Sequence, residues 1–305
     1  MNITRGQLDS LYTGFKLELA KGLGMANLPL DLFAMIVSSA TAIEKYPFMY
    51  LLSTMREWVG ERQIQNFEER LLEVINKDFE HTLGISRNDL EDEQIALIPS
   101  LFQKMGQDSE NHWGKIGLAA LVANGTWIDG KAFFAADRKF GDYTIKNYVT
   151  GALSAATYAT ARLEMMSYQA HNGDTLGIVP DTLMVGPKNE ATGKKIVENP
   201  VVVESVATGE SAYTAPVAGP NPNYGTAKLV VHPGLVGTYD DYWFLMQTTG
   251  VAKPVIVQKR KVGQLVAWDQ EHDENVKRFN RNDYGIHHRG AAALTLPPLA
   301  YAGIL

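Results

Sequence analysis

The longest helical pattern in the sequence lies between residues 86 and 124, and it limits the folds that can accommodate it. It opens at Ser86-Arg87-Asn88-Asp89, where capping residues are followed by carboxylates that complement the positive end of a helix. Apolar residues then recur at helical spacing until Asn124-Gly125 closes the run. A continuous helix here would have roughly 35 residues and a length of about 50 Å. Pro99 and Gly106 predict a kink or a break within it.

Two shorter apolar stretches and one ambiguous segment precede this pattern. The first stretch predicts a helix, ended by Gly22 and Gly24, from Leu8, Leu11, Phe15 and Leu19. The second runs from residue 28 to residue 46 and stops at Pro47. Residues 60–86 are ambiguous, since their apolar positions fit either one face of a helix or two strands, near Arg62–Phe67 and Val74–Ile85.

From residue 126 onward, helices alternate with short strands. Helices are predicted at 152–169 and 190–197, and strands at 182–185, 228–232, 242–246, 254–259, 265–268 and 284–289. This order predicts a mixed α+β protein without the regular alternation of a doubly wound sheet. Residues 207–227 contain three prolines and no apolar period, which predicts a long exposed loop.

Composition excludes several classes of protein. The formal net charge of -6 argues against tight nucleic-acid binding, because such binders are normally basic. The absence of cysteine excludes disulfides, thiolate metal sites and cysteine nucleophiles. No signal peptide or apolar stretch of about 20 residues is visible, so we expect synthesis in the cytoplasm and no membrane contact.

Two clusters could hold a metal ion, and both have a simpler interpretation. The first contains carboxylates and one imidazole, at Asp269, Glu271, His272, Asp273 and Glu274, but it follows no known calcium or zinc pattern. We expect a solvated charged loop. The second is His287-His288, whose side chains point to opposite faces of a strand and cannot easily share a ligand. We expect one buried and one exposed histidine there.

No catalytic motif is present. The sequence has no G-x-S-x-G turn, no dinucleotide-binding pattern after a strand, and no complete phosphate loop, since Gly193-Lys194-Lys195 lacks the first glycine and the hydroxyl. We therefore predict no catalytic residue, no cofactor and no metal. Basic and aromatic residues lie at Trp58, Arg62, Phe67 and Arg70. The glutamates among and beside them, Glu57, Glu61, Glu68 and Glu69, would repel phosphate and favour ion pairs between subunits.

Several segments in one order resemble the major head subunits of phage Mu and Mu-like prophages. The best of them run from Met55 to Glu93 and include Met55-Arg56-Glu57-Trp58-Val59-Gly60-Glu61-Arg62 and Asn76-Lys77-Asp78-Phe79-Glu80. The resemblance continues at Leu101-Phe102-Gln103-Lys104-Met105-Gly106, at Asp129-Gly130-Lys131-Ala132-Phe133-Phe134, at Leu176-Gly177-Ile178-Val179-Pro180, and at Tyr284-Gly285-Ile286-His287-His288-Arg289-Gly290. Each segment is weakly specific, but their ordered combination is fairly specific.

The resemblance implies the Hong Kong 97-type phage capsid fold, an α+β fold with characteristic parts. Residues 1–35 would form an N-terminal arm and 36–58 the first part of the peripheral domain. Residues 59–86 would form an extended β-hairpin loop, 87–146 the peripheral domain with its spine helix, and 147–250 the axial domain. Residues 251–305 would return through both domains.

The resemblance also implies function and partners. The chain would be a major capsid protein that assembles as pentamers and hexamers into an icosahedral virion head around double-stranded DNA, touched weakly. Its partners would be a separate scaffold protein, a portal at one vertex and a minor or decoration protein. Candidate subunit-interface residues are Glu61, Arg62, Phe67, Glu68, Glu69, Arg70 and Lys77. The alternatives are a soluble oligomeric enzyme with a dispersed acid/base site and another phage structural protein, a tail or decoration subunit.

Overall fold

A computed structural model describes residues 4–28, 30–48, 71–91, 97–140, 142–170, 173–207 and 214–304, with the backbone alone at 91, 204–207 and 214–217. The first part of the chain forms α1 (Arg5–Leu23), α2 (Leu30–Phe33), β1 (Ala34–Ser38), β2 (Ile43–Tyr46), β3 (Leu72–Ile75), β4 (Lys77–Ser86), α3 (Arg87–Glu91) and α4 (Ile98–Ala123). No helix in these ranges is long and apolar enough to cross a bilayer.

The second part of the chain alternates strands with short helices, as the sequence predicts. Its elements are β5 (Arg138–Phe140), β6 (Tyr143–Ile145), β7 (Tyr148–Thr150), α5 (Ala155–Met166), β8 (Thr182–Val185), α6 (Glu190–Val197), β9 (Val201–Ala207), β10 (Thr214–Pro220), β11 (Lys228–Val231), β12 (Trp243–Met246), β13 (Val255–Lys261), β14 (Val266–Trp268), α7 (Glu274–Phe279), β15 (Arg281–Leu294) and β16 (Ala300–Ile304).

Two five-stranded sheets organise these elements. The first has the order β1-β13-β15-β14, and β4 also pairs with β15. The second has the order β11-β8-β12-β16-β7. The strands β8 and β12 are buried along their whole length, which explains why their sequences, TLMV and WFLM, are apolar without alternation.

The spine helix α4 is shorter than the predicted helix. It begins at Ile98, and α3 is a separate five-residue helix over Arg87–Glu91. Pro99 lies in the first turn of α4, where a proline costs no hydrogen bond, so the predicted division of the long helix at this proline is confirmed as a helix start. The helix ends at Asn124, as predicted, with Asn124 in the left-handed conformation at φ 44°.

Helix α1 packs on α4 through two glycines, Gly22 and Gly106. This contact explains why α4 has a glycine at position 106, where the sequence predicted a kink or a break. A Cβ atom on Gly106 would overlap the carbonyl oxygen of Leu19, and one on Gly22 would overlap the carbonyl oxygen of Gln103. Gly106 therefore permits close helix packing and does not interrupt α4. The aromatic ring of Phe15 stacks on Phe102 beside this contact, with 4.1 Å between ring centroids.

Strand β15 is the longest strand in the described residues, and it pairs with three strands of the first sheet, β4, β13 and β14. Residues 281–290 of β15 pair antiparallel with β4, and its last residues pair with β13. Spine helix α4 crosses this sheet, and the indole of Trp113 lies over Gly290. Because a Cβ on Gly290 would stand 2.6 Å from the Trp113 ring, only glycine fits at this point of β15.

Buried polar side chains hold the connection between α4 and the second sheet. Arg138 is 3% exposed, forms an ion pair with Asp129 and donates to the Ala132 carbonyl oxygen at 2.6 Å. Asn147 is fully buried, and its amide nitrogen donates to three carbonyl oxygens, those of Phe133, Pro297 and Ala300. These bonds satisfy carbonyl groups of an irregular segment that would otherwise be buried without partners.

Two strands, β3 and β4, lie in the described part of the ambiguous segment 60–86, and they do not pair with each other. Residues 72–75 and 77–86 are strands, so the helical alternative is wrong over this range. All ten residues of β4 pair with β15, which places residues 77–86 inside the first sheet. The strand β3 pairs instead with β2. Residues 59–70 of the predicted hairpin lie outside the described residues.

The predicted loop over residues 207–227 is partly wrong. Residues 214–220 form β10, which pairs antiparallel with β9. Proline is tolerated in a strand when it faces an unpaired edge, and this explains how Pro216 and Pro220 fit into β10. Turns follow from Asn221 onward.

We predict that Gly106→Ala destabilises the subunit by about 1–3 kcal/mol, because the new methyl group must displace the backbone of α1. Gly14→Ala in α1 is the matched control, since nothing lies within 4 Å of the added Cβ there. That control should stabilise the fold by up to about 1 kcal/mol through helix propensity. Urea unfolding of the free subunit measures both. Equal stability of the two variants would contradict the close contact.

Candidate assembly surfaces

The strands β2 and β3 form the base of a loop, because they pair antiparallel and the chain between them leaves and returns at the same place. The register joins Tyr46 to Leu72 and Ile43 to Ile75. We call this strand pair, together with the polar side chains beneath it, the loop base. Those side chains are the buried Gln258, Asn76 and Ser39 and the partly buried Tyr46.

A network of hydrogen bonds ties the loop base to the first sheet. Gln258 of β13 is fully buried, and its amide nitrogen donates to the Val74 carbonyl oxygen at 3.1 Å and to the Asn76 side-chain oxygen at 2.7 Å. The Tyr46 hydroxyl donates to the Gln258 side-chain oxygen at 3.0 Å. Asn76 in turn donates to Ser39 Oγ at 2.8 Å. Strands β1, β2, β3 and β13 are therefore held by one connected set of amides and hydroxyls.

The turn between β1 and β2 is closed by a carboxylate. Glu44 Oε1 accepts hydrogen bonds from the backbone N–H groups of Ala40 and Thr41 and from the Ser39 hydroxyl. The bonds from the backbone of Thr41 and Ala40 lower the pKa of Glu44 to about 2. Glu44 is therefore ionised at neutral pH and fixes the geometry with which the chain enters the loop.

A second feature, which we call the histidine cavity, lies where β4, α4 and β15 meet. It has a volume of about 280 Å³ and is lined by Phe79, Glu80, His81, Asp108, Ser109, His112, Lys115, Ile286 and His288. The histidine cavity therefore lies between β4, the strand that follows the loop base, and the spine helix α4. Nothing in the sequence pattern singles out His112 or Ser109, because their positions on α4 become meaningful only when β15 packs against that helix.

His288 is neutral in this arrangement. Its Nδ1 accepts a hydrogen bond of 3.1 Å from the backbone N–H of Gly263, so the ring proton lies on Nε2 and is directed to Ser109 Oγ. Burial, followed by the nearby His112, lowers the pKa of His288. Protonation of Nδ1 would place a second N–H against that of Gly263 and break this bond.

His112 is the less satisfied of the two histidines. Its ring packs on Phe79, with 4.2 Å between centroids, and its Nε2 is buried without a partner among the described residues. Burial, followed by the charge of Lys115, lowers the pKa of His112. The charged or titratable groups near the two histidines are Glu80 and His81 of β4, Asp108, Glu110 and Lys115 of α4, and Lys259 of β13.

The two candidate metal clusters take other roles. Within the described residues, no three His, Asp or Glu side chains are arranged to hold a metal ion. Glu271, His272 and Glu274 are exposed, as expected for a solvated loop, but Asp269 is 5% exposed and the solvated interpretation is wrong for this residue. Burial raises the pKa of Asp269, whose nearest donor is the Gln270 amide at 3.1 Å. Asp273 accepts from the Gln270 backbone at 2.8 Å.

The histidine pair in β15 is split between two environments, as predicted. His288 is buried in the histidine cavity, whereas His287 is partly exposed and its Nε2 lies 3.0 Å from Asp78 Oδ1. Of the predicted interface residues, the structure describes only Lys77, an exposed residue at the start of β4. The other six, Glu61, Arg62, Phe67, Glu68, Glu69 and Arg70, lie outside the described residues.

Comparison with known proteins identifies the class. The chain has the Hong Kong 97-type phage capsid fold. Along 99% of this chain and 76% of the other, it superposes on a subunit of the procapsid of bacteriophage JBD30, with a TM-score of 0.57 and 20% sequence identity. The family described as "Mu-like prophage major head subunit gpT" matches residues 8–150, 140–235 and 225–303. The chain therefore belongs to the Mu-like head subunit family.

Two curated relatives agree with this family. The chain is 35% identical over 109 residues to the major capsid protein of Escherichia phage Mu, covering 36% of each chain. It is 25% identical over 142 residues to the Mu-like prophage FluMu major head subunit of Haemophilus influenzae, covering 46% of each. The matched regions thus span between a third and a half of these relatives. The family is structural, which confirms the expectation that the chain is not an enzyme.

We predict that Gln258→Leu lowers the unfolding free energy by about 1–3 kcal/mol, because Asn76, Tyr46 and the Val74 carbonyl lose their buried partner. The matched control is Gln264→Leu at an exposed position, expected within about 0.5 kcal/mol of wild type. Chemical unfolding of the free subunit compares the two. A Gln258→Leu protein as stable as the control would show that the network contributes nothing net.

We predict that acid weakens the contact at the histidine cavity. The folded-state pKa values of His112 and His288 lie below 6.5, so the unfolded chain binds more protons. Their stabilising contribution is complete above about pH 6.5 and is lost as pH falls below it. His112→Phe should reduce this loss of stability, whereas His272→Phe at an exposed position should not. Urea midpoints measured between pH 8 and pH 5 test this, and parallel curves for all three proteins would refute it.

Proposed function

We propose that this chain is the major capsid protein of a Mu-like tailed phage and that it assembles as pentamers and hexamers into an icosahedral head. The observation that carries the proposal is the family match from residue 8 to residue 303 on a chain with a phage capsid fold. The match runs through both sheets and the spine helix, so it concerns the whole architecture and not one shared motif. The chain is then a component of the virion, assembled in the cytoplasm of the bacterial host.

The described elements support a revised division of the chain. Residues 1–35 are the N-terminal arm, and its helix α1 packs on the spine helix within the same chain. The extended loop runs from β2 to β3, residues 43–75, because these strands form its base. The first sheet and α4 make up the peripheral domain. The second sheet, with α5 and α6, makes up most of the axial domain, residues 147–250, and β16 of the returning segment 251–305 completes that sheet.

The loop base would hold an extended loop in a fixed direction relative to the body of the subunit. A loop that lies over a neighbouring copy must be held at its root, since a flexible root would leave the loop without a defined direction. The amide network of Gln258 and Asn76 supplies this root. The charged interface candidates would then form ion pairs between subunits: Glu61, Arg62, Glu68, Glu69, Arg70 and Lys77.

The partners follow from the same proposal. A separate scaffold protein directs closure, a portal occupies one vertex, and a minor or decoration protein binds the finished shell. The packaged double-stranded DNA contacts the inner wall weakly, because a net charge of -6 gives little counterion release. Weak contact suits a genome that must move during packaging and ejection.

We predict that wild-type protein produced with the scaffold of its phage forms closed icosahedral shells. A variant in which residues 50–68 are replaced by a short Gly-Ser linker keeps β2, β3 and the loop base. It should fold and remain soluble but form few or no closed shells, since it lacks the contact over the neighbouring copy. Negative-stain microscopy counts the shells, and urea unfolding of the free subunit checks the fold of the variant.

The outcomes separate the competing functions. Discrete small oligomers from the wild-type protein would contradict the capsid proposal in favour of an unrelated soluble function, and tubes or rings would favour a tail subunit. Normal shells from the linker variant would leave the capsid function intact but refute the role of the loop.

A further inference from the structure

The strands β9 and β10 form a ribbon that stands apart from both sheets. Within the described residues they pair only with each other, through seven residue pairs from Val201↔Pro220 to Ala207↔Thr214. The ribbon is anchored at one end, where the buried Asn221 side chain donates to the carbonyl oxygens of Lys195, Ile196 and Asn199 at the end of α6. Its base is therefore held in place, while neither of its long edges pairs with any other described strand.

The positions of the prolines determine which backbone groups face outward. Proline has no N–H, so Pro216 and Pro220 cannot belong to the pairs that exchange hydrogen bonds across the ribbon. Their partners, Ser205 and Val201, therefore direct their own N–H groups away from β10. Because the pattern alternates, Val203 and its partner Ala218 also direct their N–H groups outward.

The two edges of the ribbon consequently differ. Along β10, the outward positions are 214, 216, 218 and 220, and two of these four residues are prolines without a donor. Along β9, the outward positions are 201, 203, 205 and 207, and every one carries an N–H group. Proline on an edge is one of the ways in which proteins prevent strand addition. The β10 edge is protected in this way and the β9 edge is open.

The ribbon also lacks the support that a stable hairpin needs. An isolated two-stranded hairpin is marginally stable in water. Val201 and Val203 lie on one face of β9 and are 52% and 68% exposed. Ala218 and Pro220 of β10 are exposed as well, so none of these four exposed positions carries a charge. An open strand edge with exposed valines requires a cover in the functional state.

We propose that in the assembled shell the β9 edge pairs with an extended segment of a second copy of this chain. This inference rests on the proposed function, which surrounds every subunit with identical neighbours. Main-chain hydrogen bonds at a strand edge do not depend on side-chain identity. They therefore suit a contact that must form in the slightly different surroundings of pentamers and hexamers. The prolines of β10 restrict the addition to one edge, which prevents the ribbon from pairing in both directions.

The test uses two substitutions at the same residue pair. Val203→Pro and Ala218→Pro each remove an N–H that the ribbon does not use, one from the β9 edge and one from the β10 edge. Both free subunits should unfold at the wild-type urea concentration. One lost hydrogen bond weakens each contact by roughly fivefold. Since a shell repeats the contact many times, Val203→Pro should abolish most shells seen by negative-stain microscopy, and Ala218→Pro should leave their number unchanged.

A measurement on wild-type protein gives an independent result. Hydrogen exchange read by mass spectrometry should show added protection of the peptide containing β9 in shells relative to the free subunit. The peptide containing β10 should exchange equally in both forms. Shells from Val203→Pro in wild-type number, equal loss in both variants, or no added protection of β9 would each overturn the inference. If the wild-type protein forms no shells, the proposed function fails and this inference fails with it.

Discussion

The contact between Trp113 and Gly290 holds the spine helix on the central strand, and most of the first sheet depends on it. Trp113 is fully buried, and its ring takes the space that a side chain at position 290 would occupy. Lys259 of β13 lies over the same indole at 5.1 Å and forms an ion pair with Glu110 of α4 at 2.7 Å. These contacts fix the position of α4 relative to both β13 and β15. The pairing of β4 with β15 fixes the strand that follows the loop base.

Buried polar side chains are concentrated where the chain changes from one element to another. Gln258 and Asn76 lie beneath the loop base, Arg138 and Asn147 hold the connection between α4 and the second sheet, and Asn221 holds the root of the β9–β10 ribbon. Irregular backbone cannot pair with itself, and amide and guanidinium groups satisfy several carbonyls at once. These side chains therefore fix the places where the described chain passes from one element to the next.

The edge strands of this chain are treated in different ways. The β4 strand is covered on β15 over its whole length, and the β10 edge is protected by two prolines. The β9 edge is left with all its donors. Selective protection of this kind restricts where another chain can add, and it matters most for a protein whose function is to associate with copies of itself in a single arrangement.

Local patterns in the sequence were sufficient for the α+β class, for α1, α5 and α6, and for the strands β8 and β11 to β15, because periodicity and end signals act within a few residues. They missed β9, and they predicted a loop where β10 forms. The start of α4 was predicted ten residues early, since α3 carries the same capping pattern in Arg87–Glu91. The role of Gly106 was read as a break because its reason, the carbonyl of Leu19 on another helix, lies far away in sequence. The family could be recognised from ordered segments, although each alone is weak.

The sequence by itself determined most of the helices and strands, the mixed α+β class, and the ordered segments by which the family is recognised. Only the tertiary structure decided strand partners, and hence that residues 77–86 lie in the sheet while β2 and β3 form the loop base. It alone brought His112, Ser109 and His288 together and buried Gln258. The physical reason is that pairing and burial depend on distant residues: a strand forms the same backbone hydrogen bonds with any partner, and the choice is made by packing across the sheet.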